Sequence, residues 1–143
     1  MASIFSKIIA GDIPGRIIWA DDSVVVFLDA FPQTYGHALV VTREEVDRWT
    51  DLPEELATHA FRVAHIVGRA QQEAFSCKRT GVIVQGYEIP HVHVHVFPTN
   101  SPADFDPARG MKEPDQAKLD EAAQLLRETL RAAGYGENVV DAA

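Results

Sequence analysis

Cysteine is almost missing from this chain. Cys77 is its one cysteine, so no disulfide can form within it. The thiol follows a helical stretch and reads as a packing residue or an inert thiol. Basic residues are outnumbered, with 13 Lys and Arg against 21 Asp and Glu, a net charge of -8. That balance excludes non-specific binding to nucleic acid or to an anionic membrane. It leaves room for a small phosphorylated ligand held by backbone amides and a few imidazoles. Long apolar runs are lacking: no segment approaches a membrane span, and the opening Met1-Ala2-Ser3-Ile4-Phe5-Ser6-Lys7 does not read as a signal peptide. The expectation is a cytoplasmic protein. Hydrophobic residues, in contrast, make up 46% of 143 residues, enough for one domain with an ordinary core (1–143) and too many for disorder over most of its length.

Histidine is where the chemistry concentrates. His91, His93 and His95 alternate with Val92, Val94 and Val96, followed by Phe97-Pro98. Alternate residues of a strand face opposite ways. The expectation is one valine face buried in a core and one imidazole face lining a cleft. Imidazoles titrate near neutrality and suit nucleophilic, acid–base or metal chemistry.

The remaining pattern supplies a scaffold. Ser3 or Ser6 caps a short helix bearing Ile4, Phe5, Ile8 and Ile9 on one face, ended by Gly11 to Gly15. Strands follow at Arg16 to Trp19, at Val24 to Leu28 (apolar on both faces, hence central), and at His37 to Val41. A helix starts with Pro53 as its first residue and runs to about Phe75, with Leu56, Ala60, Val63, Ala64 and Val67 inward. His59 and His65 on it read as packing or solvent-facing residues. A fourth strand, Gly81 to Gln85, joins the histidine strand through Gly86 to Pro90 as an antiparallel hairpin. Residues 100–114 read as a loop or mobile flap. Residues 115–133 read as a second main helix with Leu119, Ala122, Ala123, Leu126 and Leu130 inward, stopped by Gly134. The tail, 135–143, frays or docks on a partner subunit. Helices do not separate the early strands, so the class is α+β, with about five mostly antiparallel strands and two main helices.

With these residues in view, the chain resembles the histidine triad (HIT) family of nucleotide hydrolases and transferases. The resemblance covers nearly everything up to about Pro98. It rests on His91-x-His93-x-His95 with apolar residues between, and on a second block: Ile4 to Ile9, Ile13-Pro14, Phe27-Leu28-Asp29, and Pro32 through Gly36 to Val41. The nearer likeness is to the nucleoside phosphoramidase-like branch. It implies a HIT-like fold and cleavage at the α-phosphate of a purine nucleoside phosphoramidate or related nucleotide. His93 would be the nucleophile, forming a covalent nucleotidyl-histidine that water releases. His95 would bind phosphate oxygens, assist the leaving group and stabilise charge when protonated. His91 would orient, and His37 would support from behind. Asp29 would bond the ribose hydroxyls. Ile4, Phe5, Ile8, Ile13 and Phe27 would form the base pocket, with Gln85 standing in for a binding amide. An AMP-like ligand, no cofactor and a homodimer joined at the Pro53 helix and its neighbouring strand complete the implication.

Three departures from the family pattern stand out. Ser3 and Ser6 occupy positions where many bacterial relatives carry zinc-binding cysteines, and Glu45 stands where a histidine ligand would be. Serine is a poor zinc ligand, so no structural zinc is expected. The link before the triad is short, and Glu88 falls near where a hydroxyl would touch phosphate; a carboxylate there would repel it. Thr99 replaces an arginine that often follows the proline. Alternatives therefore stay open: a nucleotide-binding or scaffold protein with weak or lost catalysis, a diadenosine polyphosphate hydrolase, or a metal site completed by Asp104 or Asp106.

Overall fold

The computed structural model describes residues 2–141, so Met1 and the last two residues of the tail lie outside the described part. Five strands form one antiparallel sheet: β1 (Ile17–Ala20), β2 (Val24–Leu28), β3 (Ala38–Thr42), β4 (Arg79–Ile83) and β5 (His93–Thr99). Their order across the sheet is β1-β2-β3-β5-β4. Three helices complete the fold, α1 (Ile4–Ala10), α2 (Glu54–Phe75) and α3 (Gln116–Ala132). The α+β expectation with a mostly antiparallel five-stranded sheet is met.

Two-residue periodicity explains the layering. Val24, Val26, Leu28, Val40, Val94 and Val96 point to one face and form the main core with Ala60, Val63, Ala64 and Val67 of α2 and Ala122, Leu126 and Leu130 of α3. Val25, Phe27, Leu39 and Val41 point the other way and pack with Phe5 of α1. Each large side chain so buried contributes about 1.5–3 kcal/mol. β2 is buried throughout because both faces are covered, although β3 rather than β2 is the middle strand.

Several boundaries differ from the sequence expectation. β5 starts at His93, not His91, because the backbone before it is taken by a loop: His91 N–H donates to Ile89 O and Val92 N–H to Val46 O. It runs on through Pro98 to Thr99, and this pulls β4 two residues earlier, pairing Arg79 with Thr99 and Ile83 with His95. Gln85 is therefore outside β4. Pro53 is the N-cap of α2 rather than its first helical residue. The segment 100–114 is built from 3-10 turns at Pro102–Phe105 and Pro107–Arg109. It is tied to the Pro32-Gln33 loop by Met111 N–H to Pro32 O (3.1 Å) and Gln33 Nε2–H to Asp104 O (3.1 Å). The tail docks on its own chain: Val139 bridges Trp19 of β1, and Tyr135 stacks on the Trp19 ring at 5.7 Å.

Gln71, unremarked in the sequence, is a fully buried amide on α2. Its Nε2 donates to Gly36 O (3.0 Å) and Val96 O (2.8 Å), joining α2 to the turn before β3 and to the middle of β5. Gln71→Leu keeps the volume but strips both carbonyls of a donor, and is expected to lower unfolding free energy by about 1–3 kcal/mol. Urea unfolding checks this; an unchanged midpoint would mean that the two carbonyls find other partners.

Candidate active site

The face of the sheet carrying α1 is open beyond the helix and forms a cleft. Its floor is Phe27, Leu39, His93 and His95; Ile4, Phe5, Ile8, Pro14 and Gly15 make one wall, and Asp29, Gln85 and Glu88 the rim. Pro107, Gly110, Met111 and Lys112 also border it, which brings the 100–114 segment to the site. The sheet geometry explains the floor. β5 is paired to β3 on one side and β4 on the other, so His93 lies opposite Val41, and His95 opposite both Leu39 and Ile83.

Not every expected residue reaches the cleft. His91 precedes β5 and is wholly buried, so the three imidazoles do not share one open face. His37 is 1% exposed and sits behind His95. Ile13 does not line the cleft; Pro14 and Gly15 take that place because the chain turns after α1. Glu88, left undetermined by the sequence, lines the cleft as an exposed carboxylate.

Hydrogen-bond direction fixes the ring nitrogens. A carbonyl only accepts, so His93 Nδ1, 2.7 Å from His91 O, carries the proton. In the neutral ring, Nε2 then holds a bare lone pair, and it has no hydrogen-bond partner among the described residues. A peptide N–H only donates, so His37 Nδ1, 3.0 Å from Gln33 N, is the acceptor. Its Nε2–H therefore donates to His95 Nδ1 at 3.0 Å. That leaves His95 with its proton on Nε2. The neighbouring imidazoles of the floor thus present one lone pair and one N–H.

Burial keeps these rings neutral. Burial foremost, then the neighbouring His95 and His93, push the His37 pKa down to about 3. His95 is lowered to about 4 by burial and by His93. His93 is lowered as well, burial outweighing the bond to His91 O. A second proton on His95 Nδ1 would also face the His37 N–H. In the free protein His95 is therefore a neutral donor. Asp29 is shifted upward, chiefly by burial and further by the Glu88 charge, while the Phe31 N–H opposes the shift. Its Oδ1 accepts that N–H at 2.9 Å, and Oδ2 lies 3.6 Å from His37 Nε2.

The metal alternative finds no support in the donors. Asp104 and Asp106 accept backbone N–H groups of their own turns, from Asn100 and Ala108. Asp29, His37 and His95 do have ligand atoms within 4.8 Å of one another. The facing nitrogens of His37 and His95 share one proton, however, and the other His37 nitrogen is bonded to Gln33 N–H. The zinc positions implied by the resemblance do not fit a zinc either. Ser3 Oγ lies 2.6 Å from His91 Nδ1, and Ser6 Oγ–H donates to Glu45 Oε1 at 2.7 Å, so hydroxyls and carboxylate are bonded to protein.

Comparison with known proteins agrees with this geometry. The family model described as HIT domain matches residues 10–101. The chain belongs to the HIT family. It is 30% identical over 101 residues to the purine nucleoside phosphoramidase of Escherichia coli strain K12, covering 66% of this chain and 85% of that protein. It is also 30% identical over 98 residues to the adenosine 5'-monophosphoramidase HNT1 of Saccharomyces cerevisiae, covering 68% of this chain and 62% of that one. Among solved structures, a zinc-bound histidine triad family protein from Mycobacterium smegmatis superposes with a TM-score of 0.80 at 25% identity, covering 95% of this chain and 98% of that one. The HIT fold and membership of the family follow.

Missed in the sequence was Gln33, whose peptide N–H sets the tautomer of His37; the 107–112 stretch lies within the segment read as a flap. No side-chain pattern signals a backbone donor. The neutral imidazoles carry a consequence for stability. Unfolded, His37 and His95 titrate near about 6.5; folded, at about 3 and about 4. Below the unfolded value the unfolded chain binds protons that the native state refuses. Their contribution is therefore complete above that value and is lost as pH falls toward the folded values. The urea midpoint is expected to drop steadily between about pH 7 and about pH 5, and less steeply in His37→Asn.

Proposed function

We propose that this HIT-family chain hydrolyses a purine nucleoside phosphoramidate or a related nucleotide at its α-phosphate through a covalent intermediate on His93. One observation carries the reading: the cleft floor offers a neutral imidazole lone pair at His93 Nε2 beside an N–H at His95 Nε2. In the proposed reaction His93 Nε2 forms a bond to phosphorus as the bond to the leaving nitrogen breaks; that nitrogen takes a proton from solvent and departs as the amine, and the later attack of water returns a proton to solvent. His91 O bonds the Nδ1–H and stabilises the positive charge that develops on the ring. His95 Nε2–H donates to an oxygen of the phosphoryl group or to the leaving group. Water then attacks phosphorus, releasing the nucleoside monophosphate and restoring neutral His93.

The rest of the cleft is assigned by the same logic. The base stacks on Ile4, Phe5, Ile8 and Phe27, which offer area but no polar contact, so base selectivity is loose. Asp29 accepts from the ribose hydroxyls, and Gln85 contacts the phosphate side. His37 acts through His95. The chain as one HIT-like domain (1–143) is proposed to pair with a second copy. β4 offers a free edge, with Val82 at 46% and Phe61 of α2 at 38% exposure beside it.

A second reading, nucleotide binding with weak turnover, is favoured by Glu88. Its charge lines the cleft and would repel an approaching phosphate. Single-turnover hydrolysis of adenosine 5′-phosphoramidate, with and without chelator, decides between the two. Wild type is expected to release the monophosphate regardless of chelator, and His93→Ala to lose at least about a thousandfold in rate while still binding the product. Activity retained in His93→Ala would sink the mechanism. Binding without release, relieved in Glu88→Gln, would favour the second reading.

The base wall gives a separate prediction. A Cβ on Gly15 would lie 2.6 Å from Ile8 Cγ2, so Gly15→Val forces this wall out of place. Overpacking of this kind costs about 1–3 kcal/mol, so adenosine monophosphate is expected to bind about tenfold more weakly. Calorimetry checks it; unchanged affinity would move the base elsewhere.

A further inference from the structure

We infer that Ser3, Ser6 and Glu45 form a hydrogen-bonded clip that holds the His91–His93 segment in its working geometry. The inference rests on the reading of His93 as nucleophile, and it assigns positioning residues for that reaction.

The clip is continuous. Ser6 N–H donates to Ser3 Oγ at 3.0 Å, as an N-cap bond of α1. His91 Nε2 lies 2.6 Å from Thr42 O, which only accepts, so Nε2 carries the proton and Nδ1 is the acceptor. Ser3 Oγ, 2.6 Å from that Nδ1, is therefore the donor. Glu45 Oε1 accepts both Ser3 N–H and Ser6 Oγ–H at 2.7 Å. These two bonds draw its pKa down, the Ser3 amide first and the Ser6 hydroxyl second. The α1 N-terminus, the chain after β3 and a buried imidazole are thus fastened together.

The consequence reaches His93 by two routes. His91 O accepts the His93 Nδ1 proton, so a displaced His91 backbone frees the nucleophile's ring. Phe5, two residues after Ser3, packs edge-on to His93 with centroids 4.7 Å apart and to His91 at 5.9 Å. Loosening α1 therefore loosens the wall against which the nucleophile is held. Four ligands on one metal ion could do this fastening, but here hydroxyls and a carboxylate bonded to one another leave no open ligand set. Ser3, Ser6 and Glu45 thus supply a fastening made of hydrogen bonds alone.

The test compares Ser3→Ala and Glu45→Ala with the conservative Ser3→Thr and Glu45→Gln. An amide oxygen at position 45 still accepts the same two bonds. Two readouts are taken on the full chain: single-turnover rate on adenosine 5′-phosphoramidate with affinity for adenosine monophosphate, and 15N–1H spectra of the imidazoles. The alanine variants are expected to lose about tenfold in rate with affinity changed by less than about threefold, and the conservative variants to keep the rate within about twofold. In the spectra, wild type shows His91 protonated on Nε2 and His93 on Nδ1; Ser3→Ala is expected to keep these tautomers, which Thr42 O and His91 O set, but to shift the His91 Nδ1 signal, which loses its donor. Ser6→Ala, which removes only the hydroxyl bond to Glu45, supplies a milder variant should the others unfold; its rate is expected to fall less than theirs, but measurably. Wild-type rates and unchanged imidazole signals in Ser3→Ala, Glu45→Ala or Ser6→Ala would overturn the clip. So would a Glu45→Gln defect equal to that of Glu45→Ala, or one zinc per chain in wild type whose removal shifts the His91 signals. The spectra read the clip without reference to turnover, so a failure of the proposed hydrolysis alone is recognised by a shifted His91 Nδ1 signal in Ser3→Ala of a protein whose wild type never cleaved the substrate.

Discussion

The site depends on one backbone group, the N–H of Gln33. It points at His37 Nδ1 and can only donate, and from that single direction the order of protons follows through His37 to His95. Were the donor absent, His37 would be free to present either nitrogen, and His95 could turn a lone pair rather than an N–H toward the cleft. The loop that supplies this N–H is held in turn by Met111 N–H on Pro32 O and by its own Gln33 side chain on Asp104 O. The 100–114 segment therefore serves the site twice, as a border of the cleft and as a brace for the donor.

His93 obeys the opposite rule. Its Nδ1 meets a carbonyl, which can only accept, and its outward nitrogen is stripped of a proton as a result. Two neighbouring imidazoles on one strand thus present complementary groups because their backs meet different partners, a carbonyl for His93 and the His37 N–H for His95. Burial reinforces the arrangement: charging any of these rings would be penalised by lost hydration and by the neighbouring rings. The like-charge problem posed by adjacent histidines is resolved by keeping them neutral, not by separating them.

Much of this was legible in the sequence because it was periodic. Alternation of Val92, Val94 and Val96 with histidines indicated a strand with one core face, and the valines are indeed buried. The helical stripes of α2 and α3 lie inward as their spacing requires. What escaped was set by tertiary hydrogen bonds. The alternation alone put His91 on the strand, whereas its backbone is claimed by the loop before β5 and its ring by Ser3 and Thr42. Ile13 carried the right chemistry for a wall but the chain turns past the cleft, leaving Pro14 and Gly15 there. Gln71 bonds carbonyls from two distant elements, and a lone glutamine within a helical pattern gives no sign of that.

Charge sets the remaining constraint. A chain of net charge -8 that is to hold a phosphate must do so without a general positive field. Arg16 borders the cleft, yet its guanidinium is engaged at 2.8 Å by Asp120 and at 2.9 Å by Gln116 Oε1. Glu88 and Asp29 add negative charge to the rim. Lys112 brings a cation to the border, but the floor itself offers neutral donors, and such donors lose value quickly with small displacements. This is the reason a chain with these residues needs firm fastening around His91 and His37: the fewer the cations available to attract the ligand, the more the site depends on the placement of each N–H and lone pair.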